Sequence, residues 1–366
     1  MSNPKSVDLQ GLRTYPQLDQ IAFQHPADRE ATNGLKSIFG LPFLINQISG
    51  SILETATRLQ HLSHCIRVGP NQAREVYRQC VRAYQILWLP EMPEVYISPE
   101  NIVNAYAIGM RQPVITLTRG LIESMTPDER LCVIAHEMAH IKCEHMVHKT
   151  VANLIAILGV VGIARLLPLV GEAVMMSVAT PLYAWSRKAE LSCDRAALLV
   201  VQDPEIVAST LAKLAGWPSN LGTINYDVLR EQAALYDQLD DDTVAAVFKI
   251  VNALNSEVFL THPMPVQRLR SILLWGQSDE YNQILEGKYP RRIQNPPKRC
   301  CIECGTEMRD EQLICPNCRK ENPPAEALDR WLTCPQCGRK MNPGDRYCGN
   351  CTFAVSQFGE AGSLRA

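Results

Sequence analysis

No charge of one sign dominates this sequence: 36 Lys and Arg stand against 38 Asp and Glu, a formal net charge of −2. No global field therefore selects nucleic acid or an anionic membrane. The opening residues, MSNPKSVDLQGLRTYPQLDQ, lack the basic head and apolar run of a secretory signal peptide, so export by that route is not expected. No apolar run reaches the roughly 20 residues of a bilayer span. Residues 151–164 are apolar except for Asn153, and a second run, broken by Glu172, follows Arg165 as far as Trp185. Read as one span, the segment would set Arg165 and Glu172 at membrane depth, where each ion is costly. A buried or surface-docking helical hairpin is preferred to membrane spans. A disulfide framework is also missing: eight of the 14 cysteines fall in four Cys-x-x-Cys pairs near the C-terminus, a spacing that suits metal ions in a reducing, cytosolic compartment. The location expected is cytoplasmic, with attachment to a membrane surface left open.

What is present is material for a core, 46% apolar residues over 366 positions, enough for two or three folding units. Residues 1–70 read as a mostly helical lead-in, interrupted by Gly34, Gly40, Pro42 and Gly50. Ala73, Val76, Tyr77, Cys80, Val81, Tyr84, Leu87 and Trp88 then recur at helical spacing until Pro90 and Pro93 close the segment. Residues 95–97, 105–108 and 113–118 read as strands of a small sheet. Thr126-Pro127-Asp128-Glu129 combines a capping hydroxyl, a first-turn proline and a reciprocal Glu, which predicts a helix starting there and running past His148. Further helices are predicted over 185–201, 240–256 and 265–275. Residues 71–275 thus form one unit, 276–299 a basic, proline-punctuated linker, 300–355 a cysteine-rich unit and 356–366 a frayed tail.

His136-Glu137-Met138-Ala139-His140 sets two imidazoles one helical turn apart on one face, able to share a tetrahedral zinc ion. Glu137 then lies beside the open coordination position, where it can take a proton from zinc-bound water and deliver it to the leaving amine. A catalytic zinc needs a third protein ligand, and Glu190 on the downstream helix is the best candidate. Asp194, one turn further on, can accept a hydrogen bond from the back nitrogen of a liganding histidine and fix its tautomer. His145 and His148 extend the motif helix and read as surface residues, His148 being too far along the axis to reach the same ion. His61 and His64 show no partner pattern.

With these elements in view, the sequence resembles the HtpX-like zinc metallopeptidases, gluzincins related to the type I CAAX prenyl protease. The likeness runs over roughly residues 70 to 275 through Asn104-Ala105-Tyr106-Ala107, the His136–His140 motif, Ser186-Arg187-x-x-Glu190-x-x-x-Asp194, and His262-Pro263 followed by Arg268. The resemblance implies an α+β, mostly helical, zincin-like domain with a small sheet and an active-site helix. It further implies His136, His140 and Glu190 as ligands, Glu137 as general base and Asp194 as their supporting carboxylate. Asn104, Ala105 and Tyr106 would belong to an edge strand that an extended substrate joins by backbone pairing. His262 and Arg268 would match the family's late motif, with His262 near the zinc as a catalytic residue, although a packed helix-start histidine fits position 262 equally. Two departures stand out. Cys193 replaces the usual small residue and reads as a compact buried thiol, and the N-terminal transmembrane helices of HtpX-type members are not evident.

At the C-terminal end, Cys301, Cys304, Cys315 and Cys318 are repeated 33 residues on as Cys334, Cys337, Cys348 and Cys351, with ten residues inside each half. Four thiolates per half give a closed structural zinc site and a double zinc ribbon. Gly305 and Gly338 follow a knuckle where the backbone must turn tightly, and Cys300 reads as a bystander. Each half is too short for a core of its own, so zinc is the expected source of its folding free energy. Between 299 and 356, basic residues 299, 309, 319, 320, 330, 339, 340 and 346 balance acidic residues 303, 307, 310, 311, 321, 326, 329 and 345. That balance favours a protein-docking module over a nucleic-acid reader. The expectation is a zinc metalloendopeptidase with one catalytic and two structural zinc ions, acting on unfolded or membrane-associated polypeptides. Its alternative is a catalytically silent protein whose ribbons carry a binding or regulatory role.

Overall fold

A computed structural model of the chain describes residues 13–38, 40–48, 51–110, 112–152, 155, 172–222, 224–238, 264–292, 299–301, 303–309 and 312–321. The predicted helix over 240–256, His262, the second cysteine set from Cys334 to Cys351 and the tail lie outside the described residues. The architecture is α+β and mostly helical. The lead-in supplies α1 (Pro26–Leu35), α2 (Leu41–Ile48) and α3 (Ser51–His64), then strand β1 (Ile66–Arg67) and helix α4 (Arg74–Ile86). Strands β2 (Glu94–Ser98), β3 (Ala105–Ile108) and β4 (Val114–Thr118) complete a four-stranded sheet in the order β1-β2-β4-β3. Within it β2 runs parallel to β4, while β1 and β3 pair antiparallel with their neighbours. Burial accounts for the arrangement: every residue of β4 is buried, as a central strand requires, while β3 alternates buried and half-buried positions at the rim. The turn between β3 and β4 uses Gly109 at φ 108°, where a Cβ would stand 2.9 Å from the Gln112 carbonyl oxygen.

Helix α5 (Arg119–Ser124) leads into α6 (Pro127–Lys142), the motif helix. Its start is the capping box expected: Thr126 Oγ1 accepts from the Glu129 amide, and the Glu129 carboxylate accepts from the Thr126 amide. Lys213 and Ser209 also donate to that carboxylate, tying the helix start to α8 (Pro204–Leu214). The helix is shorter than the pattern predicts. It ends at Lys142, and Cys143 and Glu144 turn the chain, with Glu144 at φ 61°. The His145 amide closes onto the His140 carbonyl at 2.9 Å, and residues 146–152 resume as helix. No Gly or Pro marks this turn. It is held by the burial of Cys143, His145 and Met146.

Helix α7 (Glu172–Val201) is longer than the predicted 185–201 segment, with Pro181 inside it, and packs along α6, α1 and α8. Helices α9 (Tyr226–Gln238), α10 (Pro265–Trp275) and α11 (Asp279–Leu285) follow. The main core joins α4, α6, α7, α8, α10 and the sheet, and a second cluster gathers Leu35, Leu41, Leu44, Val151, Ile155, Val178, Leu182 and Trp185. The described parts of the long apolar stretch are thus covered by α1 and α2. Among the described residues no helix is long and apolar enough to cross a membrane.

The linker expected over 276–299 does not begin at 276. Tyr281 and Ile284 of α11 are buried in the main core, and the Arg292 amide bonds to the Gln17 carbonyl at 2.9 Å. The apolar positions of Asp279–Leu285, capped by Ser278, supply the helix face that the basic composition concealed. Beyond it, Cys301, Cys304, Cys315 and Cys318 cluster around Met308, with Gly305 at φ 70° in the knuckle turn. Cys300 is no loose bystander, being buried and bridged to Glu307.

Candidate metal centre and active site

His136 and His140 project from one face of α6 toward α7, their ring centroids 5.2 Å apart. From α7 the Glu190 carboxylate reaches both rings: Oε2 lies 3.1 Å from His136 Nε2 and Oε1 3.1 Å from His140 Nε2. Three donors of nitrogen and oxygen type therefore converge on one point, from residues far apart in sequence. Two imidazoles and a carboxylate are the ligand set of a catalytic zinc site, so the donor chemistry present fits that metal. The Cys193 thiol is the rival donor, lying within 4.8 Å of the histidine nitrogens. Burial pushes that thiol well above its ordinary pKa, and Glu190 stands closer to both rings.

One turn beyond Glu190, Asp194 Oδ1 lies 3.0 Å from His136 Nδ1. Arg268, from α10, holds Asp194 with two hydrogen bonds, Nε to Oδ2 at 2.8 Å and Nη2 to Oδ1 at 2.6 Å, while its Nη1 stands 2.9 Å from Glu190 Oε2. Burial would raise the Asp194 pKa, but the Arg268 charge and its hydrogen bonds outweigh that and hold it below the usual carboxylate value. Burial opposes the charge on Arg268, and Asp194 and Glu190 together overcome it. The carboxylate is thereby kept as an acceptor for a His136 Nδ1 proton, the arrangement that leaves Nε2 to a metal.

Several features of the second imidazole escaped the sequence reading. His145, expected on the surface, is fully buried: its Nδ1 lies 3.2 Å from His140 Nδ1 and its Nε2 3.2 Å from Asp28 Oδ2 on α1. The cause is the left-handed turn at Glu144, which folds the next residue back under His140. Burial would raise Asp28, but hydrogen bonds from His145, Ser192 and Gln24 bring it down to about 2. Lys149 is buried as well, with Nζ 2.7 Å from His140 Nε2 and 3.7 Å from Glu190 Oε1. Burial, with the Lys149 charge beside it, pushes His140 down to about 3, which favours the neutral ring a metal ligand must be. His148 is half-buried, its ring centroid 5.3 Å from that of Trp185. His61, given no role, is buried and bonded to Thr116 Oγ1 at 2.7 Å beneath the sheet. No local signal pointed to Asp28 or His145, because their meeting is made by helix packing.

Glu137 is fully buried and lines a cavity with His136, Asp194, Arg268, Ala105 and Leu211. Ala105 brings β3 to that cavity, and among the described residues β3 pairs only with β4, so it is the edge of the sheet on the cavity side. Asn104 fixes the strand's start: its carbonyl accepts from the Thr118 amide at 3.1 Å and its Oδ1 from the Ala105 amide at 2.9 Å. Tyr106, the next residue, is half-buried and pairs with Thr116.

Fold and site together are those of a metallopeptidase of the zincin type, built on a motif helix, a small mixed sheet and a following acid-bearing helix. Residues 70–275 match the model of Peptidase family M48, and the chain belongs to that family. It is 38% identical over 275 residues to the "Plastoglobule-localized metallopeptidase 48, chloroplastic" of Arabidopsis thaliana, covering 74% of this chain and 77% of that protein. It is also 27% identical over 232 residues to a "Protease HtpX homolog" of Campylobacter concisus, covering 57% of this chain and 77% of that protein. A "Protease HtpX homolog" of Moorella thermoacetica is 30% identical over 230 residues, covering 55% and 72% respectively. No solved structure matches the chain.

Proposed function

We propose that this metallopeptidase is a zinc endopeptidase in which His136, His140 and Glu190 hold the metal and Glu137 is the general base, acting on unfolded or membrane-associated polypeptides. The observation that carries the reading is the Glu190 carboxylate at 3.1 Å from both Nε2 atoms. When bound, zinc supplies Lewis acidity that polarises the scissile carbonyl and acidifies water. Glu137, in the cavity beside His136, takes the proton of the attacking water and passes it to the leaving amine nitrogen as the peptide bond breaks. Asp194 and Arg268 hold the His136 ring, and β3 offers its outer edge to an extended substrate strand. His262 is a further candidate near the metal.

Residues 71–275 serve as the metallopeptidase domain, onto which the lead-in and α11 pack, and 300–355 as a double zinc ribbon for protein docking, which makes three zinc ions per chain. The four clustered thiols support the first ribbon: Cys301 and Cys318 Sγ atoms lie 3.5 Å apart, as do those of Cys304 and Cys315. Action in a reducing compartment such as the cytoplasm fits the buried free thiols Cys80, Cys132, Cys143 and Cys193. The test is Glu137→Gln. It should keep the full zinc content and lose at least ~100-fold in cleavage of an unfolded protein. Cleavage that survives rejects the base, and a native chain silent on many substrates supports a binding role instead.

A further inference from the structure

On the His136 side Arg268 holds Asp194, and Asp194 Oδ1 lies 3.0 Å from His136 Nδ1, a chain that fixes the ring with Nε2 toward Glu190. A second chain on the His140 side begins in α1, which precedes residues 70–275, the stretch matching the family. Asp28 is fully buried and surrounded by donors: Ser192 Oγ at 2.6 Å and Gln24 Nε2 at 3.1 Å on Oδ2, and Thr32 Oγ1 at 3.1 Å on Oδ1. A carboxylate held this way is an acceptor, so the His145 Nε2 at 3.2 Å from its Oδ2 carries a proton and donates it. When His140 gives Nε2 to a metal its remaining proton is on Nδ1, and the acceptor for it is His145 Nδ1. Its neighbours are His140 Nδ1 at 3.2 Å and the Cys193 thiol at 3.9 Å. In that arrangement the chain from Asp28 holds the His140 proton on Nδ1 and keeps Nε2, 3.1 Å from Glu190 Oε1 and 2.7 Å from Lys149 Nζ, for the metal.

We propose that Asp28 and His145 are positioning residues that set the tautomer and orientation of His140 for metal binding, an inference that rests on His136, His140 and Glu190 being the ligands. The N-terminal helix α1 is then part of the metal site. A buried pair kept only for packing would be indifferent to the direction of its hydrogen bonds. This chain works in one direction only: each member must accept from the metal side and donate toward Asp28. Such supporting partners typically alter metal affinity 10–100-fold.

The experiment measures, on the full-length chain, the chelator-competition affinity of the zinc ion that His140→Ala loses. Asp28→Ala removes the acceptor of His145 Nε2 and should weaken zinc binding about 10–100-fold. His145→Leu should do the same. His145→Asn restores an acceptor at the position of Nδ1 and should recover most of that loss. Nitrogen-15 spectra of the zinc-depleted chain should show the His140 proton on Nδ1, and a mixture of tautomers in His145→Leu. Wild-type affinity in folded Asp28→Ala and His145→Leu overturns the proposal, as does an His145→Asn variant no better than His145→Leu. Should the variants not fold, a native His140 protonated on Nε2 overturns it alone. A zinc content unchanged in His140→Ala would instead reject the ligand reading itself.

Discussion

Around Arg268 one buried cation makes two buried acids tolerable. Glu190 and Asp194 are both nearly inaccessible to water, and either carboxylate left alone there would be driven toward its neutral form. With the guanidinium in place Asp194 keeps its charge, and a carboxylate rather than an acid faces His136. Asp28 is a further buried acid, held by hydrogen-bond donors, and its stabilisation has a measurable pH signature. Its folded pKa of about 2 lies below the ordinary value of 3.8, so the charged form is preferred by the fold. That contribution is fully present above about pH 4 and is lost as the pH falls through about 2. In urea unfolding with excess chelator, the loss of stability between pH 6 and 2 should be smaller by about 2 kcal/mol in Asp28→Asn than in the native chain. Parallel curves would show that the carboxylate gains nothing from its donors.

The elements around the site divide the labour by stiffness. Helix α6 is fixed at its start by the capping box and by Lys213 and Ser209, so its two histidines ride on a rigid rod. Among the described residues strand β3 pairs only with β4, and the proposed substrate strand would join it on the other side. The Thr118 amide bonds to the Asn104 carbonyl, and antiparallel pairing alternates bonded and non-bonded residues. The Ala107 N–H is therefore directed away from β4. Ala107→Pro removes that donor without taking a bond from the ladder. It should raise KM for an extended peptide about 3–10-fold, the value of one hydrogen bond, with zinc content unchanged. An unaltered KM would remove backbone pairing at β3 from the account of substrate binding.

Over the whole molecule, the segment carrying the Cys301–Cys318 cluster rests against α4 through small polar contacts. The Tyr77 hydroxyl donates to the Gly305 carbonyl at 3.4 Å, Arg78 pairs with Glu303 at 3.4 Å, and the Gln85 amide reaches the Cys300 carbonyl at 3.4 Å. Its own buried cluster is little more than the four cysteines and Met308, too few apolar atoms to offset the cost of ordering the segment. Replacing Cys304 and Cys315 by Ser should remove one zinc ion and open the ribbon to limited proteolysis. Cleavage of a short peptide and the main thermal transition should persist. Collapse of that transition would mean the ribbon supports the catalytic unit rather than being carried by it.

The sequence by itself determined what is local and periodic. Helical spacing set α4, the Thr126 box set the start of α6, and the four-residue intervals at 136–140 and 190–194 put each pair on one helix face. Those features follow from backbone geometry over a few residues, and the cysteine knuckles follow from ligand spacing in the same way. Tertiary structure alone decided where α6 stops, since no Gly or Pro marks Glu144, and that decision buries His145. It also decided that α11 packs into the core where composition suggested a linker. Above all it brought Asp28 to a histidine 117 residues later in the chain, because such a contact depends on how α1 lies along α7, and helix packing is written in the summed shape of many side chains rather than in any short pattern.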